Sequence, residues 1–88
     1  MTLSAPPTVT VRVVLFARYA EALGTEALAL TVPAPARVSD AVAALRAHAG
    51  GSALPVRPLC AVNLSQVTPD HVLAAGDELA ILPPMAGG

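Results

Sequence analysis

The chain has 88 residues, 55% of them hydrophobic, and its five basic residues, all arginine, stand against six acidic ones for a net charge of −1. This length allows one domain, and the charge argues against a nucleic-acid-binding surface. One cysteine and two histidines do not provide the ligands of a structural zinc site, so we expect no metal. Because only 2% of the residues are aromatic, we expect an aliphatic core. No apolar run is long enough to span a membrane, and we expect a cytoplasmic protein with no membrane partner.

Residues 8–17 are rich in β-branched side chains and contain no glycine or proline, which is typical of a β-strand. The two-residue period predicts one inward face, made of Val9, Val11, Val13 and Leu15. The other face ends in Val14 and Phe16, which no helix is expected to cover. An exposed apolar pair of this kind indicates a contact surface, so we predict that Phe16 and Val14 lie at a partner interface.

Two short elements are predicted next. Residues 18–23 have a helical composition, and Gly24 stands where such a helix would end. Residues 26–32 alternate again and stop at the Pro33-Ala34-Pro35 break, with an inward set made of Leu28, Leu30 and Val32. We expect a short helical connector and a second strand that pairs with the first as in a hairpin.

A longer helix is predicted over residues 40–49. Ser39 is a suitable N-cap, Asp40 places a carboxylate in the first turn, and Gly50-Gly51 follows the end. A period of 3.6 residues gathers an apolar stripe that would face the sheet, made of Val38, Val42, Leu45 and Ala49.

The rest of the pattern predicts three strands: residues 59–63, a short edge strand around Gln66 and Val67, and residues 78–82. Cys60 lies among apolar residues and is expected to be buried. This element order indicates an α+β fold of the β-grasp, ubiquitin-like kind, a mixed sheet of about five strands crossed by one main helix. We assign residues 8–82 to that domain, 1–7 to a loose extension and 83–88 to an extended tail.

The tail has the most informative sequence, Pro83-Pro84-Met85-Ala86-Gly87-Gly88. Two prolines stiffen the exit from the last strand, and two glycines leave no side chain beside the terminal carboxylate. We predict that residues 83–87 insert into a narrow channel of another protein and that Gly88 carries the reactive group. A carboxylate is a poor electrophile, so activation as an acyl-adenylate formed with ATP is expected.

Charge is uneven along the chain. Residues 1–57 carry all five arginines and three acidic residues, whereas residues 58–88 carry Asp70, Asp77 and Glu78 and no basic residue. We therefore expect the tail end of the domain to be acidic, which would either steer it onto a basic partner or simply form a solvated face with no partner.

Three stretches carry a family resemblance: VVLFARYAEALGTE at 13–26, AVN at 61–63 and AGDELAILPPMAGG at 75–88. With them the chain, from Val11 onward, resembles the small subunit of molybdopterin synthase, a MoaD-like and ubiquitin-like sulfur carrier. Residues 1–7 and the proline-rich segment 54–59 have no clear counterpart in that family.

The resemblance implies a reaction cycle. An E1-like adenylyltransferase uses ATP to adenylate Gly88, and a sulfur donor converts the adenylate to a thiocarboxylate. The tail then enters the large subunit, in a heterotetramer, and supplies sulfur for the dithiolene of molybdopterin from cyclic pyranopterin monophosphate. Phe16 matches an aromatic position used at subunit contacts. The chain itself is expected to bind no cofactor and, without a catalytic triad, carboxylate dyad or phosphate loop, to be inactive alone.

Three alternatives stay open at this point. A thiamine-pathway sulfur carrier shares the fold and the terminal diglycine, although such carriers are shorter and usually lack the segment after the first strand. A ubiquitin-like modifier would be joined through Gly88 to lysines of other proteins, and the absence of lysine here would prevent chains on its own side chains. A plain binding module would have an incidental tail.

Overall fold

The computed structural model describes residues 6–84. Its elements are β1 (Thr8–Leu15), α1 (Ala17–Leu23), β2 (Ala27–Pro33), α2 (Val38–Arg46), a short 3-10 turn (Gly51–Ala53), β3 (Leu59–Val62), β4 (Ser65–Val67) and β5 (Glu78–Leu82). The five strands form one sheet in the order β2-β1-β5-β3-β4. The predicted mixed β-grasp sheet is confirmed.

The sheet is mixed because its last strand lies between two earlier ones, parallel to one and antiparallel to the other. β1 runs antiparallel to β2, with Val11 opposite Leu30. β5 lies parallel to β1 and antiparallel to β3, with Ile81 opposite Cys60. The strand that leads to the tail is therefore hydrogen-bonded on both sides.

The predicted phase of β1 is confirmed. The side chains assigned to its inward face are between 0% and 6% exposed, and they are Val9, Val11, Val13 and Leu15. Thr10 and Arg12 are exposed on the opposite face, where Val14 is half-buried. The strand ends two residues earlier than predicted because Ala17 adopts a φ of 49° and begins α1.

The main helix begins earlier than the sequence predicts, and Ser39 is not its N-cap. Arg37 occupies that position with extended backbone. The backbone N–H groups of Val38 and Ser39 donate to the carbonyls of His71 and Pro69 at 2.9 and 3.0 Å. These bonds satisfy helix donors that a serine hydroxyl would otherwise serve. The helix also ends at Arg46, so Ala49 lies outside it and is exposed.

The predicted position of Asp40 is confirmed, and the core holds residues that the sequence patterns did not indicate. The Asp40 carboxylate lies in the first turn, where it accepts the backbone N–H of Arg37 at 2.8 Å. The buried stripe of α2 comprises Val38, Ala41, Val42 and Leu45. Tyr19 of α1 is 2% exposed and Leu54 is 1% exposed. No helix within residues 6–84 is long and apolar enough to cross a membrane.

Gly50 and Gly51 close the contact between the two helices. Gly50 has a φ of +81°, and a Cβ at this position would overlap the carbonyl oxygen of Ala22 in α1. A Cβ on Gly51 would overlap the carbonyl oxygen of Leu45 in α2. The backbone of this turn thus lies directly against both helices. Gly24 also has a positive φ, +77°, but open space surrounds its missing side chain.

We expect Gly50→Ala to lower the free energy of unfolding by at least about 1 kcal/mol more than Gly24→Ala, as measured by urea unfolding. Both substitutions place an alanine in the left-handed region, at a cost of about 1–2 kcal/mol each. Only the substitution at Gly50 adds an overlap with α1. Equal losses for the two variants would show that the turn does not pack against this helix.

Candidate functional site at the root of the tail

The tail leaves from the middle of the sheet. Leu82, the last residue of β5, lies opposite Leu59 of β3, and Ile81 lies beside Leu15 of β1. Leu79 and Ile81 are fully buried. Sheet pairing and core packing together fix the position from which the tail starts.

Of the predicted tail residues, the structure describes only the first two. Pro83 is half-buried and Pro84 is exposed. Met85, Ala86, Gly87 and the predicted reactive residue Gly88 lie outside the described residues, so their roles stay predictions.

The sheet face opposite the helices presents an apolar strip. Val14 is aligned with Ala27 of β2 and with Ala80 of β5, and Ala80 is aligned with Ala61 of β3. We call these four residues the alanine strip. Because three of the four side chains are single methyl groups, the strip is low and allows another surface to approach the sheet closely.

Phe16 lies at the tail end of this face. It has extended backbone and continues the alternation of β1, and its side chain is 43% exposed. Its carbonyl accepts the N–H groups of Tyr19 and Ala20 at 3.0 and 3.4 Å, which ties it to the first turn of α1. Leu59, 39% exposed, lies opposite Leu82. The predicted outward orientation of Phe16 is confirmed, while its role at an interface stays a prediction.

A cleft lies beside the root of the tail. It has a volume of about 620 Å³, and it is lined by the side chains of three arginines together with Leu82 and Pro84. The arginines are Arg18 of α1, Arg46 at the end of α2 and Arg57 before β3. We call it the arginine cleft. The sequence patterns did not indicate it, because its three arginines come from segments far apart in the chain.

This geometry shows that the expected acidic tail end is wrong. Glu78 begins β5, so it lies at the opposite end of that strand from Leu82, about 13 Å away. Asp77 precedes it, and Asp70 lies 3.9 Å from Arg37 at the start of α2. Asp77 and Glu78 therefore lie away from the point where the tail exits, whereas Asp70 lines a pocket with Arg46 and Arg57.

Asn63 joins β3 to β5 at that distant end of the sheet. Its side-chain amide donates to Asp77 Oδ1 at 2.9 Å, and its Oδ1 accepts the backbone N–H of Glu78 at 3.0 Å. The other Asp77 oxygen accepts the backbone N–H of Ala74 at 2.8 Å. The hydrogen bond from Ala74, followed by that from Asn63, lowers the pKa of the Asp77 carboxyl. The Asn of the AVN motif thus has a structural role.

Cys60 is buried, as predicted, on the core face of β3. Burial raises the pKa of its thiol to about 11. At neutral pH the thiol is protonated, which is unsuitable for a nucleophile. Within residues 6–84 no three His, Cys, Asp or Glu side chains are grouped as metal ligands would be.

The sequence matches the ThiS family over residues 13–88. The chain belongs to this family. It is 36% identical over 85 residues to the molybdopterin synthase sulfur carrier subunit of Escherichia coli K12, covering 89% of this chain and 99% of that protein. The family resemblance of the sequence motifs is confirmed.

Solved structures agree with this assignment. Small archaeal modifier protein 1 of Haloferax volcanii is similar, with a TM-score of 0.78, 28% identity and coverage of 88% of this chain and 99% of that chain. A complex of subunits 1 and 2 of the Helicobacter pylori molybdopterin-converting factor contains a chain with a TM-score of 0.63 and 22% identity, covering 91% of this chain and 100% of that chain. The second likeness shows the fold alone.

Proposed function

We propose that this chain is the sulfur carrier subunit of a molybdopterin synthase and that Gly88 carries the sulfur. The observation that carries the proposal is the identity of 36% with the E. coli sulfur carrier subunit, which extends over nearly all of both chains. The fold is consistent with this role, because β5 holds the root of the tail between two strands.

The proposed chemistry occurs at the terminal carboxylate. An E1-like adenylyltransferase joins a carboxylate oxygen of Gly88 to the α-phosphate of ATP and releases pyrophosphate. A sulfur donor then attacks the acyl carbon, AMP leaves, and a thiocarboxylate forms. In the large subunit this sulfur passes to cyclic pyranopterin monophosphate for the dithiolene, and water restores the carboxylate. The chain supplies the acyl group, while its partners supply nucleotide, sulfur and active site.

The tail sequence and the apolar surface next to the tail root fit the proposed delivery of sulfur. A channel that accepts Gly88 requires a slender tail, and glycine has no Cβ to obstruct attack on the acyl carbon. Proline restricts the backbone at positions 83 and 84, which reduces the conformational entropy lost on insertion. Phe16, Leu59 and the alanine strip provide an apolar surface next to the same root, suited to contact with the large subunit.

A protein modifier is the second candidate function. It is favoured by the similarity to small archaeal modifier protein 1, at 28% identity. Both functions begin with activation of the terminal carboxylate, so they differ in the acceptor. A modifier would form an amide with a lysine of another protein, whereas a carrier releases its sulfur and returns unmodified.

Incubation of the chain with an E1-like adenylyltransferase, ATP and a sulfur donor should replace one oxygen of Gly88 by sulfur. Intact-mass spectrometry would record the mass difference between sulfur and oxygen, and fragmentation would place it on the last residue. Removal of Gly88 should abolish the change without altering the thermal unfolding midpoint, because the last buried core residue within residues 6–84 is Ile81. A sulfur found elsewhere, or stable amide adducts in place of the thiocarboxylate, would contradict the carrier function.

We expect Phe16→Ala to weaken binding to the large subunit at least about 30-fold, which corresponds to about 2 kcal/mol. Titration calorimetry would measure the affinity. Val72→Ala is a matched control, because Val72 is also an exposed apolar residue, at 54%. It lies away from the proposed interface, since its backbone forms a bridge with Arg37 at the start of α2. Unchanged affinity of a folded Phe16→Ala protein would show that the interface lies elsewhere.

A further inference from the structure

The arginine cleft gathers three arginines at the root of the tail. Asp70 lines an adjoining pocket with Arg46 and Arg57, but its carboxylate pairs with Arg37. Between residues 6 and 84 the only ion pair joins Arg37 to Asp70, at the other end of α2. Arg18, Arg46 and Arg57 therefore have no carboxylate oxygen within 4.0 Å in that part of the chain. Like charges that share a cleft repel one another, and an anionic group from outside would relieve this repulsion.

Local contacts hold two of the three arginines in place. The Arg18 guanidinium lies 5.6 Å from the centre of the Tyr19 ring, and Tyr19 is buried. The Nε–H of Arg46 donates to the carbonyl of Leu54 at 2.9 Å, and Leu54 is also buried. Arg57 directly precedes Pro58, which restricts the backbone of Arg57. Because the side chains of Arg18 and Arg46 are already partly ordered, less conformational entropy is lost when they bind.

The position of the cleft determines which molecule meets it. Pro84 is part of its lining, and four residues separate Pro84 from the end of the chain at Gly88. Four extended residues reach at most about 14 Å. A protein that holds Gly88 in its active site must therefore bring its own surface within this distance of Pro84, next to the cleft.

We infer that the arginine cleft docks an acidic segment of the large subunit at the entrance to the channel that accepts the tail. This inference rests on the proposed function. The cleft supplies charge beside the root, and Phe16 with the alanine strip supplies apolar contact near the same root. Charge pairs at the rim of an interface act mainly on the association rate and its salt dependence, so the cleft steers the tail towards the channel.

The test compares association rates of the full chain with the purified large subunit by stopped-flow fluorescence. The charge-removing variant is Arg18→Gln combined with Arg57→Gln, which spares Arg46 because its hydrogen bond to Leu54 supports the fold. Arg37→Gln is the matched control, since Arg37 lies at the opposite end of α2. Arg18→Lys with Arg57→Lys keeps the charge and should restore the rate.

In about 20 mM salt, the double glutamine variant should associate about 5 to 10 times more slowly than the wild type, with a nearly unchanged dissociation rate. The difference should disappear in about 500 mM salt, where charges are screened. Arg37→Gln should associate like the wild type. Equal rates for the double variant and the wild type in low salt would overturn the inference alone. Failure of the wild type to bind the large subunit would overturn the proposed function as well.

Discussion

The placement of β5 between β1 and β3 is the constraint on which the rest of the structure depends. A last strand at a sheet edge would be hydrogen-bonded on one side only, and its end could fray. Here both neighbours are in register with it, and the buried side chains of Leu79 and Ile81 anchor it in the core. The tail therefore begins at a fixed point, and only the residues beyond Leu82 need to adapt to a partner.

The core and the exposed surfaces near the tail use different faces of the same elements. In β1 the inward residues pack beneath the helices, whereas Val14 and Phe16 remain on the other face. In α1 the buried ring of Tyr19 contributes to the core and also supports the guanidinium of Arg18. The small core thus needs no extra layer to present an apolar surface and a basic cleft beside the same tail.

The sequence predicted well what depends on neighbours along the chain. Two-residue alternation identified the buried face of β1 and the outward orientation of Phe16, because a strand fixes both. The predicted start of α2 was wrong because the backbone N–H groups of its first turn donate to the carbonyls of Pro69 and His71, about thirty residues later in the chain. No local pattern could reveal this.

The prediction of an acidic surface at the root of the tail was wrong for a related reason. Net charge along a segment does not show where that charge lies in space, and β5 carries its acidic residue at the end opposite Leu82. The fold instead brings Arg18, Arg46 and Arg57 to the exit. The burial of Leu54 was also missed, since its proline-rich segment has no periodicity. The proposed role of Gly88 rests on the sequence alone, because the structure describes the chain only as far as Pro84.

A change in tail length tests most directly whether the fixed root sets the reach of Gly88. Two glycines would be inserted between Pro84 and Met85, and loss of sulfur from the thiocarboxylated chain would be followed by mass spectrometry in a single turnover with the large subunit and its pterin substrate. If the root sets the reach, the inserted variant should unfold and bind like the wild type but release its sulfur at least about tenfold more slowly, because a misplaced reacting atom loses the benefit of orientation. Sulfur release at the wild-type rate would contradict this account.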